Sequence, residues 1–305
     1  MALGNGAIGC SIPLLIAMWS GIAGAQTTFT ATYTGQGPGA ATCNASFSID
    51  GVKPSAAGSY PVFLYFVGTT ETFNNASATA VIDGMAALGF VAATVEYDSG
   101  EFGGCAQISG KSSCAFNPQS STSAISQVCA EAGAGCSKGV VVGGFSQGAV
   151  IATLAKNFNS EVQAVWGMGD GVSYTQLFNL SSCLADGNRT LPSDRLRAVN
   201  GVNDEFTGDT ESKQQTNMQS LTGFQCAAGS ISCLQRNGSG WIIVQTGQTE
   251  SGVADHCYMR DGGCFASQNS LDSDWKSGTA DWELGANLEW LARFVTGHSR
   301  DPRNR

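Results

Sequence analysis

Histidine, the side chain best suited to acid–base work near neutral pH, is scarce in this 305-residue chain. There are two histidines. His298 lies in the charged tail His298–Arg305, where a solvated terminal role is expected. His256 lies in Gly252-Val253-Ala254-Asp255-His256-Cys257-Tyr258, after the last clear apolar run of the sequence. A neutral imidazole takes and returns a proton near neutral pH and so suits a general base. A group it could activate is Ser146, in Gly144-Phe145-Ser146-Gln147-Gly148. A serine hydroxyl is a poor nucleophile at its own pKa. It needs a base to take its proton and a third group to orient that base.

The elements around Ser146 must hold it out for attack. Val140-Val141-Val142 is a short β-branched run and reads as a buried parallel strand. Ala149 to Lys156 reads as a helix packed on a sheet. With no spacer between them, the serine must sit on a sharp strand-to-helix turn in a strained backbone conformation. Glycines on both sides fit that demand, because a Cβ at either position would collide with the neighbouring strand or helix. The helix N-terminus then aims its free N–H groups at charge developing beside Ser146.

The rest of the chain supplies a sheet to carry this turn. Residues 28–34 and 45–49 alternate polar and apolar side chains and read as antiparallel edge strands. Tyr60–Val67 reads as a central strand ending at Gly68-Thr69-Thr70-Glu71, followed by a helix over 75–88 and a strand over 90–95. Residues 98–118 read as a Gly/Ser/Cys-rich loop stapled by a disulfide, and a helix ends near Cys129. Strands follow at 162–167, 196–200 and 241–244, with a helix and loop over 172–195. The stripe Leu284, Leu288, Leu291 and Val295 marks an amphipathic helix over 281–296, closed by Gly297. Alternating strands and helices from 60 to 296 predict an α/β fold, with a mainly parallel central sheet and helices on both faces. No linker, composition shift or repeat marks a second domain.

The pentapeptide Gly144-Phe145-Ser146-Gln147-Gly148, set between strand and helix, resembles the nucleophile turn of the α/β-hydrolase superfamily. With Ala149 added, the string also looks like cutinases and small carboxylesterases, although Asp204 and His256 are further apart than in the cutinase pattern. The resemblance implies the α/β-hydrolase fold over most of 60–296 and a triad in the chain order serine, acid, histidine. It implies Asp204, directly after the strand at 196–200, as the acid. Asp170, after the preceding strand, is the competitor, and Glu205 a third candidate. It implies an oxyanion hole made by the Gln147 N–H and by Thr69 in the turn after Val67, with Thr70 as the alternative. Here the sequence departs from the family, for Val67 stands in place of a histidine and no Gly-Gly run follows. The implied activity is hydrolysis of a carboxylic ester by Ser146, Asp204 and His256 through an acyl-enzyme. The alcohol or acid would come from a carbohydrate, cell-wall or polyester-type ester. The rival readings are a non-catalytic binding relative and a serine peptidase on the same fold.

Composition narrows the partners. Lys and Arg number 15 against 24 Asp and Glu, a net charge of −9, which argues against nucleic acid or an anionic membrane as partner. Residues 1–25 read as a secretory signal peptide with Ala23-Gly24-Ala25 as cleavage site, 26–297 as the catalytic domain and 298–305 as a disordered polar tail. The expectation is a secreted monomer with an ester substrate, no membrane anchor and no cofactor. No metal is expected either: there is no C-x-x-C, and Asp204, Glu205, Asp209 and Glu211 lack EF-hand spacing. Ten cysteines remain after Cys10 in the leader, which in an exported chain argues for disulfides. Neighbours suggest pairs 105/114, 129/136, 226/233 and 257/264, leaving Cys43 with Cys183. A 257/264 bridge would pin the loop of His256. Sequons at Asn44, Asn75, Asn179, Asn188 and Asn237 suggest a secreted glycoprotein.

Overall fold

The computed structural model describes residues 25–34, 45–174, 178–265 and 270–295. The leader up to residue 24, Cys43, the Asn44 sequon, Gly297 and the tail with His298 lie outside the described residues. In chain order the strands are β1 (Gln26–Tyr33), β2 (Phe47–Pro54), β3 (Val62–Phe66), β4 (Val91–Val95), β5 (Val140–Phe145), β6 (Val162–Met168), β7 (Ser173–Tyr174), β8 (Phe178–Asn179), β9 (Leu196–Gly201), β10 (Ser232–Leu234) and β11 (Gly240–Val244). The helices are α1 (Ala76–Ala87), α2 (Cys105–Phe116), α3 (Ala124–Cys129), α4 (Gln147–Leu154), α5 (Ser181–Leu184), α6 (Glu211–Thr222), α7 (Ser273–Ser277) and α8 (Leu284–Ala292).

Nine strands form one mixed sheet in the order β1-β2-β4-β3-β5-β6-β9-β11-β10. The six from β4 to β11 run parallel, and β1, β2 and β10 join antiparallel at the edges. The central strands are buried along their whole length, as expected of a parallel sheet covered on both faces. Strand alternation divides the core in two. Val62, Leu64, Phe66, Val140 and Val142 pack with residues of α2, α3, α4 and α6. Phe63, Tyr65, Val141 and Trp166 pack with α1, α7 and α8 on the other face. The stripe expected on the C-terminal helix is buried there through Leu284, Leu288, Leu291 and Val295.

Some expectations are corrected. Residues 105–116 are a helix, not a loop. Its Ser112 and Ser113 are buried, and Ser112 Oγ donates to the Ile151 carbonyl of α4 at 3.0 Å. Serines that favour loops when solvated are here packed against another helix. The same helix excludes a 105/114 disulfide. Nine residues of helix separate the two positions by roughly 13 Å, beyond the reach of a disulfide. Cys105 pairs instead with Cys183, so the 43/183 assignment also falls, and Cys114 is disulfide-bonded elsewhere. The 129/136, 226/233 and 257/264 pairs are present. The helix expected in 172–195 is the one-turn α5, and the described residues of the segment also hold a two-stranded β7–β8 ladder.

Asn75 is a buried helix cap. Its Oδ1 accepts from Ala78 N–H at 3.0 Å, so this sequon does structural service, whereas Asn179, Asn188 and Asn237 are exposed.

Candidate active site

The turn at Ser146 has the shape its sequence demanded. Ser146 is one of two non-glycine residues with positive φ among the described residues, at φ 53° and ψ −122°. A Cβ on Gly144 would lie 2.3 Å from the Gly148 carbonyl oxygen, and one on Gly148 would lie 2.2 Å from the Phe66 carbonyl oxygen. Both glycines are therefore set by close backbone approach, one to α4 and the other to the end of β3. The Ser146 N–H donates to the Met168 carbonyl at 2.8 Å, which ties the turn to β6. Gln147 opens α4, and its side-chain amide donates to the Glu101 carbonyl at 2.6 Å. Lys111 donates to the same carbonyl, so the 98–104 segment is anchored beside the turn.

Asp204 follows β9 and is fully buried. Its Oδ1 accepts the N–H groups of Phe206 and Thr207, at 2.9 and 3.0 Å. Its Oδ2 stands 2.7 Å from His256 Nδ1. A carboxylate can only accept, so Nδ1 carries the proton and Nε2 is the basic nitrogen. The loop that delivers Asp204 is held from below by α6, whose Gln214 amide donates to the carbonyls of Asp204 and Gly208. Gln214 Oε1 in turn accepts from Asn200 on β9 and from Thr207. This polar underside explains why α6 lacks an apolar stripe and went unseen in the sequence.

His256 is nearly buried, between the turn and the acid loop. Its ring lies 4.9 Å from that of Phe145, the residue before Ser146, and 4.7 Å from that of Phe206. A Cβ on Gly169, just past β6, would come within 2.6 Å of its Cε1. Burial pulls the pKa of His256 down. The charge and hydrogen bond of Asp204, aided by Glu205 and Asp255, outweigh that and hold it above its ordinary value. The loop is pinned twice: by the Cys257–Cys264 disulfide, and by Asp255, whose carboxylate accepts the N–H groups of both cysteines.

The turn after β3 stands over the nucleophile, since a Cβ on Gly68 would lie 3.2 Å from Ser146 Cβ. Thr70 has φ 60°, and its N–H donates to the Ser99 carbonyl at 3.1 Å. Among the described residues, neither the Thr69 nor the Gln147 N–H donates to a carbonyl. Glu71 closes the turn by accepting the Gly68 N–H at 2.8 Å and pairs with Arg260 of the histidine loop. The Arg260 guanidinium also lies over the Phe145 ring, 5.7 Å from its centroid. Both side chains of this ion pair are almost fully buried.

The structure thus brings Ser146, Gln147, Thr69, Asp204 and His256 to one end of the sheet. Neither competitor carboxylate bonds the imidazole. Asp170 is buried with its carboxylate accepting from Thr153 Oγ1 and Gly171 N–H. Burial pushes its pKa up to about 6 against those bonds and the Arg189 charge. Glu205 is exposed. Sequence reasoning passed over Glu71, Arg260 and Phe206. Only Phe206, two residues from the acid candidate, carried any signal. Among the described residues no group of three or more His, Cys, Asp or Glu side chains is arranged to hold a metal ion. No helix among them is long and apolar enough to cross a membrane. Neither the protein-family models nor the curated proteins compared with this chain match it.

Proposed function

We propose that this chain is a secreted serine hydrolase of the α/β-hydrolase type that cleaves carboxylic esters. The observation that carries the reading is the 2.7 Å contact from Asp204 to His256, made beside a serine held at positive φ on a strand-to-helix turn. In this reading His256 Nε2 takes the Ser146 proton as Oγ attacks the ester carbonyl. Asp204 holds the imidazole in the right tautomer and stabilises the imidazolium. The oxyanion of the tetrahedral intermediate is met by the N–H groups of Gln147 and Thr69. The imidazolium then protonates the departing alcohol, and water activated by the same nitrogen clears the acyl-enzyme. Every step uses a side chain or amide of this chain.

Four disulfides among the described residues suit an oxidising compartment, which supports export. Carbohydrate esters of plant cell walls and polyesters such as cutin are the first classes to assay. The test is labelling with a fluorophosphonate, together with hydrolysis of p-nitrophenyl acetate. Wild type should be labelled at Ser146, and Ser146→Ala should lose labelling and several orders of magnitude in turnover. An unlabelled wild type that cleaves no ester would mean a binding protein. Faster cleavage of peptide amides than of esters would mean a peptidase.

A further inference from the structure

Two large apolar side chains among the described residues stand well out to solvent: Ile231 beside edge strand β10, and Phe206, 38 % exposed. Phe206 is not an incidental surface residue. Its ring rests on the His256 imidazole at 4.7 Å, and its N–H is held by Asp204 Oδ1. The other ring against that imidazole, Phe145, belongs to the core and is 3 % exposed. Nδ1 of the imidazole faces Asp204, so Nε2 is the nitrogen left to protonate a departing alcohol. A ring that leans on the imidazole and opens to solvent borders the path of that alcohol. Exposed Glu205 precedes it in the chain and its charge acts on His256, so the rim of this wall is acidic.

On the reading of the chain as a Ser146 esterase, we infer that Phe206 is the floor of a subsite for the alcohol half of the ester. That subsite takes alcohols with a flat apolar face, an aryl ring or the face of a pyranose, and turns away anionic ones. Ring stacking supplies the attraction, and the carboxylate of Glu205 supplies the repulsion.

The experiment compares acetates of four alcohols on one enzyme: ethyl, benzyl, 4-carboxybenzyl and methyl glucoside. All transfer the same acyl group to Ser146, so ratios of kcat/KM cancel changes in the catalytic groups. Wild type should prefer benzyl to ethyl acetate and should discriminate against 4-carboxybenzyl acetate. Phe206→Ala should cut the benzyl-to-ethyl ratio by about fivefold or more, mostly through KM, while Phe206→Trp keeps it. The methyl glucoside arm separates sugar faces from aryl rings: a fall in its ratio to ethyl acetate in Phe206→Ala places sugars in the same subsite. Fluorophosphonate labelling shows that each variant is folded and armed. Labelled Phe206→Ala with the wild-type benzyl-to-ethyl ratio overturns the subsite while leaving the esterase reading intact. A wild type that cleaves none of the four, and is not labelled, removes both.

Discussion

At the scale of single residues, the proposed reaction makes the imidazole the group that sets the working pH. Burial opposes the charged form of His256, but Asp204, Glu205 and Asp255 favour it more strongly, so its pKa stands above 6.5. The basic form is the neutral one. Turnover should therefore be lost as pH falls, with the midpoint of the acid limb of kcat/KM above 6.5. Asp204→Asn should slow turnover by orders of magnitude, because the amide cannot hold the imidazole in the same tautomer. A flat kcat/KM from pH 8 to 5 would remove His256 as the base. Ser146 and His256 stood out in the sequence as candidates because residue type was enough: a serine between glycines on a strand–helix junction, and one histidine outside the tail. Glu71 and Arg260 could not be picked out. A glutamate in a turn and an arginine in a loop have many uses, and only the folded chain shows that they meet.

At the scale of elements, that meeting joins the turn after β3 to the loop after β11. Glu71 holds the Gly68 N–H with one carboxylate oxygen and Arg260 with the other. The turn carrying Thr69 is thereby registered against both the histidine loop and the Phe145 ring. Removing one partner of a buried pair leaves the other charge uncompensated, at a cost of about 3–5 kcal/mol. Arg260→Met should lower the melting temperature sharply. Adding Glu71→Gln in the same chain should recover much of that loss. The double variant should still show reduced kcat with little change in KM, because the proposed oxyanion donor Thr69 has lost its brace. Wild-type kcat in a folded double variant would show that the pair serves stability alone. Local pattern made α1 and the strands of the sheet other than β10 readable, since each has an apolar run, an apolar stripe or a polar–apolar alternation. It failed at α2 and α6, where buried apolar residues such as Ile108, Phe116, Met218 and Leu221 are interleaved with buried serines and amides, among them Ser112 and Gln214, which are held by tertiary hydrogen bonds.

At the scale of the whole molecule, the sheet gathers the site on one side. Ser146, Asp204 and His256 follow β5, β9 and β11, three strands of the parallel run β5-β6-β9-β11, while the β1–β2 ladder forms the far edge. The parallel core was legible from the alternation of strands and helices. Its order was not, because nothing local says that β4 lies outside β3. Cysteine pairing failed for the same reason: Cys105 and Cys183 are 78 residues apart, and only the packing of the α5 segment beside α2 brings them together. The seven-residue pairs were readable because so short a loop leaves few alternatives.

The buried carboxyl of Asp170 has a consequence for storage. Its folded pKa of about 6 exceeds its unfolded value of 3.8, so between those pH values the folded chain holds a proton that the unfolded chain has released. Its contribution to stability is complete below about 4 and fades as pH climbs through about 6. Asp170→Asn keeps the shape without the charge, so at pH 7.5 it should melt above wild type, and the gap should narrow as pH falls through about 6 and close only below about 4. A gap that does not vary with pH would deny Asp170 this role. On the reading proposed above, mildly acid storage would protonate His256 and the carboxyl of Asp170 together, resting the proposed enzyme while taking a buried charge out of the fold, and neutralising the buffer would restore both.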